Sequence, residues 1–562
     1  MRNYKNLADE MLAKRDEYRQ KRARKRKKTV ITVIIVAAIV LSVAVSIPSA
    51  VLITAAFRQT DVDTEPEPKP EPEPEQSDVT TEDNTADQPL VGSEGLSYRM
   101  NDKHSVIVSV GECKDENIVI PETRGIYPVV GIDEDGFKGC ENLRSIYIPD
   151  SVTQIRNNAF ADCVSLESVR LPESGVFLWS NIFKGCTALK ETTIHESVKV
   201  GGSYVFSGCT SLESVRFVEG TEATLSQSFT IGDGMFFGCI KFEAIEIPES
   251  TGSIGSEAFM GCESLETVNL PDEVDYIGSN VFRDCTRLKS FTGGKNLTTI
   301  GSGTFIGCTS LSYVELSDKI TRIDDALLRG CSSLESIVIP ASVTHINSMF
   351  IAGSAVKELS VDPGNPVFYS EGNCVIEKDT GKLVAGCNGS VIPSGVKSIE
   401  AGAFMSCTGL TEVVIPESIT AIVNGTFAGC TGLVTVSIPK AVVSIGDYAF
   451  YECISLRSIV VPDSVETLGK SGTFEGCTSF VEVTLGSGIK YIPSSAFREC
   501  TSLKKLTIKS SLIIENSAFF NCSSLELIEF GGTVAEWKAM FKDYDWDYGT
   551  GDYTVRCSNG TV

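Results

Sequence analysis

The sequence predicts a β-rich repeat solenoid with a parallel sheet along one face, interrupted by a hairpin insertion and preceded by one transmembrane helix. The first observation behind this is a unit of 23 residues that returns along the chain, as "NAFADCVSLESVRLPES" (158–174), "NIFKGCTALKETTIHES" (181–197) and "YVFSGCTSLESVRFVEG" (204–220). A period of 20–50 residues marks an array in which each unit buries its apolar face only against its neighbours. The second is an uncharged run of apolar residues, Thr29 to Phe57, abutting "KRARKRKK" (21–28). The third is an apolar alternation of period two, mostly Ile and Val, in nearly every unit, the mark of a strand with one face buried.

Residues 1–28 carry 12 Lys/Arg against 4 Asp/Glu and read as a basic cytoplasmic tail. Residues 29–57 exceed the roughly 20 apolar residues needed to cross a bilayer. The positive charge before them places the N-terminus inside. A cleaved signal peptide is the other reading of this segment. Its apolar region is normally about 7–15 residues, although "TAA" (54–56) is a tolerable cleavage context. Residues 58–90 contain "EPEPKPEPEPE", which forms neither helix nor ladder, so an extended acidic stalk is expected. The net charge of the whole chain is −24, which disfavours nucleic acid as a partner because phosphates require a basic footprint.

An N-terminal cap is expected over 91–139, repeats over 140–361 and 391–530, and a C-terminal cap over 531–562. The consensus reads A-F-x-G-C-x-x-L-x-x-V-x-I-P-x-S-V-x-x-I-G, and its leucine-to-isoleucine core occurs about sixteen times, from "LRSIYI" (143–148) to "LELIEF" (525–530). The unit at "LKSFTG" (288–293) is the weakest match. Proline after the strand, as at Pro149, Pro172 and Pro416, lacks an amide and ends it. A second apolar pair, such as Val152 and Ile155, supplies the opposite wall.

Fifteen of the 19 cysteines occupy one slot of the unit, three residues before the strand leucine. Stacked rungs lie about 4.8 Å apart, whereas bridged Cβ atoms prefer about 3.8 Å. Zinc needs ligands converging on one point, and only His104, His195 and His345 are available as partners. Packing as small buried hydrophobes is therefore the expected role, and Ser354 fills the slot once without harm to it. Cys113, Cys374, Cys387 and Cys557 lie outside the slot. The insertion, residues 362–390, reads as a hairpin. With Thr380-Gly381 as a two-residue turn, Lys378 pairs with Leu383 and Cys374 falls opposite Cys387, which makes that pair the candidate disulfide.

Taken together, the A-F-x-G-C unit, the insertion "NPVFYSEGNCVIEKDTGKL" (365–383) and the end segments "LSYRMNDKHSVIVSVGECKDENIVIP" (96–121) and "FGGTVAEWKAMF" (530–541) resemble the BspA-like leucine-rich repeat proteins. The resemblance covers about residues 95–562. It implies a cell-surface protein with a role in adhesion or in host or matrix binding.

No catalytic constellation is legible, so an enzyme is not expected and no cofactor is implied. "GKSG" (469–472) lacks the earlier glycine of a phosphate loop. "DYDWDYG" (543–549) spaces three aspartates like a calcium loop but has Tyr548 where glycine is needed and no following bidentate glutamate. Its expected role is an acidic capping loop. A ligand site, if the chain has one, lies on the solvent side of the sheet, where Tyr147, Arg170, Arg216, Glu246 and Val338 come first along the row. Val414, Val434, Val460 and Val481 are expected to form an apolar patch further on. The function that follows is a membrane-anchored, non-catalytic module binding an extracellular protein or glycan. The alternative is an envelope scaffold that binds wall polymer or its own copies.

Overall fold

The computed structural model describes residues 92–173, 175–218 and 229–562. The expected tail, membrane helix and stalk lie outside these. Among the described residues no helix is long and apolar enough to cross a membrane.

The chain winds into a β-solenoid of stacked parallel coils. All sixteen expected strands form, and they line one wall from Ser145–Tyr147 to Leu527–Phe530. Pairing is in phase with the repeat: Ile146 faces Val169, and Val169 faces Thr192. In most rungs the interior V or I is buried while the residue between them faces out, and Val436 and Ile438 are partly buried. The weakly matching unit is a full rung, with Ser290–Thr292 paired to Tyr313–Glu315 and Phe291 buried. The wall also extends past the repeats at both ends. Asn117–Val119 joins it at the start and Thr554–Cys557 at the finish, both within the expected caps.

Proline does more than end the strand. Its carbonyl accepts the amide three residues on, as from Val152 to Pro149 at 3.0 Å and Ile419 to Pro416 at 3.0 Å. This closes a turn that delivers the chain to the second wall, of short strands such as Gln154–Ile155, Phe177–Leu178 and Lys199–Val200. The return segment carries A-F-x-G-C. Alternate amides there reach the next rung, as in Asn158 to Ser180, Phe160 to Ile182 and Asp162 to Lys184. The bend needs left-handed backbone immediately before the cysteine, at φ +75° in Gly185 and +62° in Asp162. Glycine recurs there because side chains resist that conformation.

Phenylalanines fill the core as two stacks. Phe137 to Phe305 runs with centroids 5.2–5.8 Å apart, and Phe404 to Phe519 with 5.1–5.5 Å. The break begins before the insertion, at buried Leu328 and Ile351 in the phenylalanine position, and continues in it at Gly386, where a Cβ would lie 2.0 Å from the Phe404 ring. The last ring meets Trp546 edge-on at 5.8 Å. Trp546, Trp537 and Met540 bury themselves over the end of the coil. Trp537 comes from the helix Val534–Ala539, which Thr533 and Glu536 close with a capping box. Such closure is what a solenoid end requires.

The cysteine slot is more than packing. Thirteen of the fifteen slot thiols donate to the carbonyl of the phenylalanine in the preceding rung, among them Cys163 to Phe137 at 3.0 Å, Cys262 to Phe236 at 3.2 Å and Cys453 to Phe427 at 3.2 Å. That carbonyl already accepts an amide from its own rung, as Phe137 does from Cys140. The thiol therefore uses its second lone pair and ties rung to rung. A purely apolar residue of the same size would leave that tie unmade.

The insertion corrects the expected register. Its turn takes four residues, Lys378–Gly381, with the Gly381 amide donating to the Glu377 carbonyl at 2.9 Å and Gly381 at φ +68°. Ile376 then faces Leu383 and Val375 faces Ala385 across a bulge, so Cys374 is not opposite Cys387. Both are buried free thiols, and Cys387 donates to the Lys357 carbonyl at 3.3 Å. All 19 cysteines are free. Unfolding in the absence of reductant should therefore release 19 titratable thiols; a count of 17 would restore the proposed bridge.

Candidate binding face

The outward residues of the first wall form a column, and its two halves differ. In the first half Arg170 lies over the Tyr147 ring at 5.3 Å and is held by Glu173 at 3.1 Å and Asp150 at 3.5 Å. Exposed Arg216 follows, paired in register with Thr193. Glu246 lines a separate depression of about 460 Å³ with Glu196, Phe217 and Asn269. These four residues are thus distributed over several rungs. Tyr147 and Arg170 are neighbours with fixed geometry, and Glu246 stands further along the same wall, at the edge of that depression.

The second half departs from the expected continuous apolar patch. Val338, Val414 and Val460 are exposed, at 57%, 60% and 62%. Each, however, is paired with a hydroxyl residue on the next rung: Val338 with Ser360, Val414 with Ser437, Val460 with Thr484. Val434 and Val481 stand in a different column, at the entry to their strands, with exposed Arg457 on the rung between them. The four valines of the expected patch, and Val338 before them, therefore alternate with polar groups. The period-two pattern placed them correctly outward, but which residue follows on the next rung depends on the 23-residue register.

A feature with no local signature in the sequence lies beside Val460. The first wall is divided into several hydrogen-bonded ladders, and one division falls between Thr435–Ser437 and Ser458–Val460. A groove of about 720 Å³ opens there, lined by Thr435, Ser437, Ser458 and Val460, with Lys440, Asp463 and Lys509 around it. Lys509 Nζ donates to Asp463 at 2.9 Å and the Ser487 amide donates to the same oxygen at 2.9 Å. The Ser487 amide and the Lys509 ammonium hold the Asp463 carboxyl below its usual range. The groove thus presents an apolar side chain, hydroxyls and one oriented ion pair, the mixture that a small recognition site uses.

The remaining candidates are structural. The Asp547 carboxylate accepts the Tyr553 hydroxyl at 2.6 Å within the C-terminal cap. Among the described residues no three metal-ligating side chains converge. Burial pushes the thiols of Cys239, Cys331 and Cys430 up to about 12, which leaves them protonated and unreactive near neutrality.

The profile of the BspA type leucine rich repeat region, in six copies, matches residues 130–230, 229–357, 386–472 and 444–542. The chain belongs to the BspA-type leucine-rich repeat family. Solved structures similar to this BspA-type chain include a leucine rich cell surface protein from Faecalibacterium prausnitzii. That protein shares 24% identity, over 81% of this chain and 98% of that one, with a TM-score of 0.44. A leucine-rich repeat protein from Bacteroides ovatus shares 27% identity over 74% and 93%, with a TM-score of 0.45. One from Eubacterium ventriosum shares 16% over 84% and 98%, with a TM-score of 0.36. Among curated proteins no relative is found.

Proposed function

We propose that this BspA-type protein is a non-catalytic recognition module of the cell surface. Residues 29–57 anchor it as a single span with the N-terminus inside, and residues 58–90 lift the solenoid outward. Its partner is an extracellular protein or glycan held on the first wall. One observation carries this reading: the alternating column through Val414, Ser437, Val460 and Thr484, with the groove that opens beside Val460. Exposed β-branched residues suit any strand, but here they border a concavity with an oriented ion pair.

Binding of the full-length chain to matrix proteins, mucin, intact foreign cells and the producer's own wall, read by surface plasmon resonance, tests the proposal. Saturable binding to a matrix, mucin or foreign-cell component supports it. Binding confined to the producer's wall replaces it with the envelope scaffold.

A further inference from the structure

We infer that the second wall of the carboxy-terminal half holds a separate site for a neutral, unbranched polysaccharide. A groove of about 900 Å³ runs along this wall from Ala401 to Glu515. Its floor is nearly bare. Ala421, Ser444 and Thr467 stack in register, and beside them Gly446 and Gly469 press against the preceding rung so closely that a Cβ on either would meet backbone atoms at 2.2–2.8 Å. Small residues at the same repeat position on successive rungs thus make a trough several rungs long.

One margin carries polar side chains pinned at one end. Asn424 Oδ1 accepts the Asp447 amide at 2.9 Å, Asp447 Oδ1 accepts the Ser471 amide at 3.2 Å, and Glu515 Oε2 accepts the Ser494 amide at 3.1 Å. Each bond fixes the side chain and leaves its other terminal atom to face a ligand, an amide donor on Asn424 and a carboxylate oxygen on Asp447 and Glu515. Tyr491, 50% exposed, closes the far end of the trough, and its column continues with exposed Ile513 and Phe541.

The chemistry selects the ligand. Ser444–Ile445 is paired on both sides, its neighbours Ala421–Ile422 and Thr467–Leu468 on one side each, and the floor between them has no alternating pockets for peptide side chains, which disfavours an extended peptide. Asp447 and Glu515 against Lys470, on a chain of net charge −24, disfavour a polyanion. A ring of C–H faces edged by hydroxyls fits both the aromatic platform and the fixed acceptors.

The test is titration calorimetry of the full-length chain with neutral glucan, mannan and xylan, alongside polygalacturonate and an unfolded polypeptide. One neutral polysaccharide should bind saturably. Tyr491→Ala should weaken it by roughly tenfold without moving the melting temperature beyond that of a surface control, and Tyr491→Phe should retain it. The Val414→Asp with Val460→Asp variant should bind it unchanged, which separates this site from the first wall. Absence of binding to every neutral polysaccharide, indifference to Tyr491→Ala, or preference for the polyanion or the polypeptide would overturn the inference.

Discussion

Raising the pH above 9 is expected to unfold the solenoid in one cooperative step. A thiol in the unfolded chain ionises near its ordinary value of 9.0, whereas burial pushes Cys239, Cys331 and Cys430 up to about 12 and Cys262, Cys308 and Cys453 well above the ordinary value. Between these limits the unfolded chain has lost protons that the folded chain keeps, so stability falls as pH rises. The contribution is complete below 9 and is lost progressively toward 12. One pH unit above the unfolded value, each such thiol costs about 1.4 kcal/mol. A dozen act together, so the loss is on the order of 10 kcal/mol, as large as the stability of a typical domain. Circular dichroism and thiolate ultraviolet absorbance should therefore change together, in a single transition. Thiolate absorbance that rises gradually from pH 8.5, with the fold intact, would show that the ladder is accessible to solvent.

Phe450→Ala should be the most damaging single truncation in the carboxy-terminal half. The ring is fully buried between Phe427 at 5.4 Å and Phe474 at 5.5 Å. Removing it costs about 3–5 kcal/mol, from lost transfer energy and the cavity left behind. In a solenoid this loss falls on one rung and its two neighbours, because stability is a sum of local and nearest-neighbour terms. Denaturant unfolding should therefore split into two transitions. Hydrogen exchange should accelerate first between Phe427 and Phe497, while Phe137 to Phe305 keeps its protection. A shift no larger than that of Val460→Ala, whose side chain lies in solvent, would refute the stacked core.

Much of this fold is legible in the sequence because a repeat states each rule many times. Sixteen copies of V-x-I identify the buried column, and the recurring cysteine fixes the rung spacing that disfavours bridges between rungs. What stays hidden is what depends on a single place. The hydrogen bond from thiol to phenylalanine carbonyl joins residues 26 apart, across rungs, and leaves no local pattern. The turn of the insertion admits two or four residues from the same letters, and that choice moved Cys374 away from Cys387. The parting of the sheet beside Val460 depends on which successive rungs share a ladder, so the groove there has no signature. The trough on the second wall did leave one, in Ala421, Ser444 and Thr467 at a shared position, but small residues read as ordinary turns until the walls are placed.

The proposal that the first wall is the recognition surface is tested most directly by one comparison. Wild-type chain and the Val414→Asp with Val460→Asp variant would be measured side by side by surface plasmon resonance against whichever extracellular component the wild type binds. Both valines are exposed, so the variant should keep the melting temperature of the wild type. The account predicts at least roughly tenfold weaker binding, an effect of about 1.4 kcal/mol. Unchanged affinity in a folded variant would contradict it and move the recognition surface off this wall.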